Sequence, residues 1–272
     1  MNRWHLHLRH APEARLDLRS IGSHLRLAPD ADTLAALPLA CGRDLLPMGT
    51  LFDIAPLSEG DADLRLSGDL SRADRIGWQW SEGTLEVIGD AGHHLGTAMS
   101  GGTVRVSGDA GDGAGIEMRG GELRIGGNAG DYLASTLPGS MDGMRGGLIV
   151  VDGSVGARCA DRMRRGTVVV RGDAGDFLGS RLVAGTVLLG GRCGAHPAWG
   201  MRRGTLLLAG PAPADLGDGF VPDHADHGVF LALLTRDLAR HGGVAAALAG
   251  RPARFLRGDL AVDGRGEVLL FA

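Results

Sequence analysis

The sequence contains no lysine. All 28 basic residues are arginine, and against 32 acidic residues they leave a net charge of −4 and a pI near 6.2. That balance argues against a nucleic-acid or anionic-membrane binder. Aromatic residues make up only 4%, and the three cysteines, Cys41, Cys159 and Cys193, are an odd number without CxxC spacing. Neither a disulfide framework nor a zinc knuckle can be read from them, and a reducing compartment fits. No run approaches 18 uninterrupted apolar residues, and the opening MNRWHLHLRH lacks the apolar stretch of a signal peptide, so the expectation is a soluble, cytoplasmic protein. Proline is sparse at 11, but glycine is not: it accounts for 47 of the 272 residues, well above the usual ~7%. Collagen is excluded because the glycines lack a three-residue period, and plain disorder is excluded by 44% apolar residues. The glycines therefore point to backbone geometry.

An internal repeat explains where they fall. GTLEVIGDAG at 83–92 recurs as GTVRVSGDAG at 102–111, GELRIGGNAG at 121–130, GLIVVDGSVG at 147–156, GTVVVRGDAG at 166–175, GTVLLGGRCG at 185–194 and GTLLLAGPAP at 204–213. Every step is 19 residues except one of 26, which places a seven-residue insertion within Ala134–Asp142; a degenerate copy, DLRLSGDL at 63–70, opens the series. Each copy alternates like a short strand and closes in a Gly-Asp or equivalent turn, for which a positive φ is expected at the glycine. A single short strand cannot bury its own face, whereas stacked copies can, so the repeat predicts a parallel β-helix of seven to eight coils, roughly 35 Å long at ~4.8 Å per coil.

The register assigns faces. Leu85/Val87, Val104/Val106, Leu123/Ile125, Ile149/Val151, Val168/Val170, Val187/Leu189 and Leu206/Leu208, preceded by Leu64/Leu66, are predicted to point inward. On the far side of the coil Trp80, Met99, Met118, Met144, Met163, Leu182 and Met201 form a second column, read as core filler rather than a soft-metal stripe. The outward residue of each strand runs Arg65, Glu86, Arg105, Arg124 and then Val150, Val169, Leu188, Leu207. An aliphatic strip of that kind needs a cover, either the amphipathic helix expected near His227–His241 through Phe230, Leu234 and Leu238, which is favoured, or a partner subunit. The predicted layout is a mixed cap over 1–58, the β-helix over 59–210, and a linker, helix and strand cap over 211–272. In the first cap Trp4, Leu6 and Leu8 form a strand with a partner strand at Leu16 and Leu18.

Catalytic signatures are missing: there is no GxSxG, no GxxxxGK[ST], and no GxGxxG between a strand and a helix. His93 and His94 sit at a coil corner without a zinc-spaced partner, and His224 and His227 read as solvated loop residues. The turn residues Asp69, Asp90, Asp109, Asn128, Ser154 and Asp173 suit hydrogen bonds to their own turn better than calcium, since 19 is not a multiple of the nine-residue calcium-binding period. One feature stands out. Arg119, Arg145, Arg164, Arg165, Arg202 and Arg203 follow the methionine column and stack guanidinium groups along one ridge, where like charges ~5 Å apart repel. Either the carboxylates of a partner subunit, an anionic cofactor, or the Asp turns of the same coils relieve that repulsion.

The pattern GGTVRVSGDAG followed by M-R-G-G, carried across the long step as SMDGMRGGLIVVDGSVG, together with LPMGTLFDI and RIGWQW ahead of it, resembles the C subunit of formylmethanofuran dehydrogenases and of the formyltransferase/hydrolase complex of methylotrophic bacteria, over roughly residues 40–210. A more distant likeness is to the C-terminal β-helix domain of glutamate synthase, although this chain lacks an N-terminal Cys nucleophile. The resemblance implies an all-β fold, a right-handed parallel β-helix with small mixed α/β terminal caps, acting as a scaffold without an active site or metal of its own. It implies as partners a zinc-dependent amidohydrolase-like hydrolase subunit, a formyltransferase subunit and a further B subunit. The implied complex moves a formyl group from formyl-tetrahydromethanopterin to methylofuran and releases formate. The tungsten or molybdenum dehydrogenase remains the alternative assembly, and a free-standing acyltransferase is disfavoured because 19 residues break the six-residue sextet of hexapeptide coils.

Overall fold

Aliphatic residues two apart, alternating with polar residues in the early repeats and continuous with further aliphatics in the later ones, make each repeat a short strand. The computed structural model describes residues 3–27, 29–214 and 216–271. In chain order the elements are β1 (Trp4–Leu8), β2 (Leu16–Asp17), α1 (Ile21–Leu25), α2 (Ala31–Ala36), β3 (Pro38–Cys41), β4 (Asp44–Pro47), α3 (Met48–Leu51), β5 (Phe52–Pro56), β6 (Leu64–Ser67) and β7 (Ala73–Asp74). The repeats supply β8 (Thr84–Ile88), β9 (Ser100–Val106), β10 (Gly120–Ile125), β11 (Arg145–Val151), β12 (Arg165–Val170), β13 (Thr186–Leu189) and β14 (Thr205–Leu208). They are followed by β15 (Val221–Pro222), α4 (Gly228–Leu238), α5 (Gly243–Ala246), β16 (Ala253–Gly258) and β17 (Gly266–Phe271).

The protein is mostly β, built on one large, mostly parallel sheet. From β6 through β8 to β14 the strands lie side by side in sequence order, every pair parallel. Leu85 lies opposite Val104, Val104 opposite Leu123, Leu123 opposite Ile149 across the insertion, and Val168 opposite Val187. A second line of parallel bridges runs through Ala91, Ala110, Ala129, Val155, Ala174 and Cys193. The inward ladder is no more than 3% exposed at any position, and the methionine column is buried throughout.

The far wall of each repeat does not use strands. Residues two apart take left-handed φ, as at His94 (φ 61°), Gly96 (φ 61°) and Ala98 (φ 55°), and again at Arg158, Ala160 and Arg162. Their N–H groups still bond to neighbouring repeats on either side: His94 donates to the Asp112 carbonyl at 2.8 Å and Gly96 to the Ile76 carbonyl at 2.8 Å.

The turn side chains act between repeats rather than within one, contrary to expectation for most of them. Asp90 accepts from the Asp109 N–H (2.8 Å), Asp109 from Asn128 (2.6 Å), Asn128 from Ser154 (2.9 Å), Ser154 from Asp173 (3.0 Å) and Asp173 from Arg192 (2.6 Å). Only Asp69 holds its own turn, through Ser71. The reason is steric as well as polar: the acceptor of one repeat occupies the place where a Cβ would stand on Gly108, Gly127, Gly153, Gly172 or Gly191 of the next. Gly68 and Gly89 do take the expected positive φ, whereas these later glycines are required by close approach instead.

Both ends of the sheet are closed. β1 pairs parallel with β6 and antiparallel with β5, while β2 joins β3, β4 and β7 in a separate small sheet. Leu16 and Leu18 are therefore core residues, but β2 is not the partner of β1; the strand after α3 takes that place. At the other end β17 continues the parallel sheet from β14 and folds back on β16. Val150, Val169, Leu188 and Leu207 are covered by the chain itself, in one cluster with Leu238, Ala245, Leu248 and Phe255 and with Leu234 packed against it. Phe230, expected in that cover, is exposed at its margin, 6.5 Å from Phe255.

Candidate functional site

All six ridge arginines, Arg119, Arg145, Arg164, Arg165, Arg202 and Arg203, are exposed. Backbone pairing sets their spacing: the N–H of Arg119 bonds to the Met99 carbonyl, that of Arg145 to Met118, that of Arg164 to Met144 and that of Arg202 to Leu182. The column is interrupted at Val183, so the ridge is two groups rather than one stripe. Between Arg145 and Arg164 stands Asp142 from the insertion, 3.1 Å from Arg145 and ion-paired with Arg164. Part of the repulsion is thus relieved within the chain, by the insertion rather than by the turns.

Arg164 and Arg202 line a cavity of 390 Å³ together with Met141, Arg162, Arg181 and Trp199. Its wall is completed by Asp259 and Val262 from the C-terminal cap. Arg119, Arg145, Arg165 and Arg203 are not in its lining. Arg162 and Arg181 hold left-handed φ of 56° and 52°, at the repeat position that Ala98 and Glu117 fill earlier. Arg181 grips the buried Asp161, donating to Oδ1 at 2.9 Å and to Oδ2, and Ser180 donates to the same carboxylate at 2.8 Å. The signal for these residues was a change of one column to arginine at two consecutive 19-residue steps. Trp199 carried none, since no equivalent aromatic recurs nearby.

The other candidates part company. His93 Nδ1 accepts the Asp112 N–H at 2.9 Å and so stands in for an aspartate in a second inter-repeat ladder with Asp74, Asp112 and Asp131. His94 is half-buried, and burial, followed by the Arg75 charge, lowers its pKa. His227 is not a solvated loop residue: it stacks on Phe255 at 4.3 Å, whereas His224 is exposed. Asp74 is pushed up by burial, but the Arg15 guanidinium and the His93 N–H more than offset this and hold its carboxyl below the usual range. Burial pushes the Cys159 and Cys193 thiols up to about 12, so both remain protonated and un-nucleophilic. Among the described residues no group of three or more His, Cys, Asp or Glu side chains is arranged to hold a metal ion, and no helix is long and apolar enough to cross a membrane.

A repeat-built, mostly parallel β protein with both sheet ends capped and a basic, aromatic-edged groove on one flank defines the class. The GXGXG motif family matches residues 65–213, more than half of the chain, and the chain belongs to that family. It is also similar to a chain in the X-ray crystal structure of the formyltransferase/hydrolase complex (FhcABCD) from Methylorubrum extorquens in complex with methylofuran, with 35% identity, 98% of this chain and 99% of that chain covered, and a TM-score of 0.90. No curated protein sequence matches it.

Proposed function

We propose that this chain is the C subunit of a cytoplasmic formyltransferase/hydrolase complex: a right-handed parallel β-helix of 19-residue coils over 59–210, with caps at 1–58 and 211–272, that holds the catalytic subunits together. The observation that carries the reading is end-to-end similarity to a chain of such a complex at 35% identity. In this reading the hydrolase subunit brings zinc, the formyltransferase subunit binds formyl-tetrahydromethanopterin, and methylofuran carries the formyl group between them before its release as formate. The described repeats of this chain support a structural role: turn side chains such as Asp90 and Asp109 are spent on inter-repeat hydrogen bonds, and burial pushes the Cys159 thiol up to about 12. The matched complex is of the hydrolase kind, which favours it over the tungsten or molybdenum dehydrogenase.

The test is recovery of the tagged full-length chain from its native cell, followed by identification of what comes with it. The expected companions are an amidohydrolase-like subunit, a formyltransferase subunit and a B subunit in fixed ratio. A chain recovered alone, or with molybdopterin-dependent subunits, contradicts the reading.

A further inference from the structure

We propose that the groove between the insertion, the last repeats and the C-terminal cap docks an extended, carboxylate-bearing segment of a partner subunit, one apolar side chain of which packs on Trp199. The proposal rests on the assembly reading above and adds the place and chemistry of one contact.

Charge gives the first argument. Of the four guanidinium groups lining the groove, Arg164 is committed to Asp142 and Arg181 to Asp161. Arg162 and Arg202 face the cavity without a carboxylate partner among the described residues; Arg162 donates only to the Met141 sulfur, at 2.9 Å. Asp259 is the single lining carboxylate, and it is occupied by the backbone N–H groups of Gly200 (3.1 Å) and Ala261 (2.9 Å). Two cations thus remain open to external carboxylates, which arginine binds through paired N–H donors.

Shape and polarity give the second. Trp199 is 53% exposed and Met141 65%, and with Val262 they put apolar surface directly beside the cations. A small inorganic anion would use the guanidinium groups and leave this surface wet, whereas a peptide covers both. Exposed aromatic residues beside arginine are the usual make-up of the energetically dominant part of a protein interface.

The experiment uses the assembled complex. With p-benzoylphenylalanine placed at position 199, irradiation is expected to cross-link the chain to an acidic stretch of one partner subunit. In the Arg162→Glu/Arg202→Glu variant, recovery of that partner is expected to fall at least tenfold in 150 mM salt, while the melting temperature of the isolated chain stays within a few degrees of wild type. Undiminished recovery, with no cross-link to any partner from position 199, overturns the groove proposal and leaves the assembly reading standing, as does a cross-link to nucleic acid. Recovery of the wild-type chain without partners overturns the assembly reading and the groove proposal together.

Discussion

The Asp142 carboxylate lies 3.1 Å from the Arg145 guanidinium, and it also pairs with Arg164 one repeat further on. The insertion that breaks the 19-residue step thereby supplies a counter-charge to a ridge that the repeat itself makes repulsive. Both arginines are exposed and Asp142 is partly open to water, so the pairs contribute less than about 1 kcal/mol. Asp142→Ala is expected to lower stability by no more than that at low salt. The deficit should shrink as salt rises, because the exposed guanidinium groups are then screened from one another. Urea melts of both proteins at two ionic strengths measure this, and a deficit that grows with salt contradicts it.

The inter-repeat ladder makes a contrasting demand. Gly127→Ala places a methyl group where the Asp109 carboxylate and the Gly108 backbone already stand, and is expected to cost about 1–3 kcal/mol. Asp109→Asn keeps an acceptor for the Asn128 N–H and should cost well under about 1 kcal/mol, as Asn128 itself fills that role one repeat later. Denaturation midpoints rank the two; equal losses would mean that the glycine answers to something other than the carboxylate above it.

Much of this was legible in the sequence, and the boundary has a physical cause. The strands β8 to β14 were readable because each residue's alternation and its 19-residue neighbour both report on the same buried face, and the cover over Val150, Val169, Leu188 and Leu207 followed from their hydrophobicity. The job of Asp90, Asp109 and Asn128 was misread, because a turn residue's partner in the next repeat is set by stacking rather than by nearby sequence. The left-handed far wall was invisible for a similar reason: Ala98, Glu117 and Arg162 are not residues that local preference puts at positive φ. The groove itself was not legible; the sequence showed only a ridge of arginines. Arg164 and Arg202 lie in the ridge, but Met141 and Val262 reach it from the insertion and from the cap.

The inward ladder should tolerate no charge. Val168→Asp sets a carboxylate between Ile149 and Val187 in a fully buried column, at a cost of about 3–5 kcal/mol, a large part of the ~5–15 typical of a whole protein. Arg105→Glu on the outer face exchanges an exposed pair with Asp61 for a solvent-screened carboxylate beside Asp61 and Glu86, and should lower the melting temperature far less than Val168→Asp. Thermal melts separate them, and similar losses would mean the two faces are wrongly assigned.

Acid should weaken the protein from near neutrality downward. His94 binds a proton more weakly in the folded chain than in the unfolded one, chiefly because of burial and then of the Arg75 charge, so its pKa is lowered from the ordinary 6.5 on folding. As pH falls through 6.5 the unfolded chain takes up a proton that the folded chain refuses, and stability drops until the folded pKa is passed. His94→Asn, which tolerates the left-handed φ, removes this contribution. The melting-temperature difference between pH 7.5 and pH 5.5 should therefore be smaller in the variant than in wild type; an unchanged difference assigns the acid sensitivity elsewhere.

The most direct measurement is formyl hydrolysis and transfer by two preparations at equal concentration, the isolated chain with added zinc and the recovered complex. The complex is expected to turn over formyl-tetrahydromethanopterin in the presence of methylofuran and release formate, while the isolated chain stays at the buffer rate. Zinc-dependent turnover by the isolated chain would place an active site here and contradict the scaffold role proposed for it.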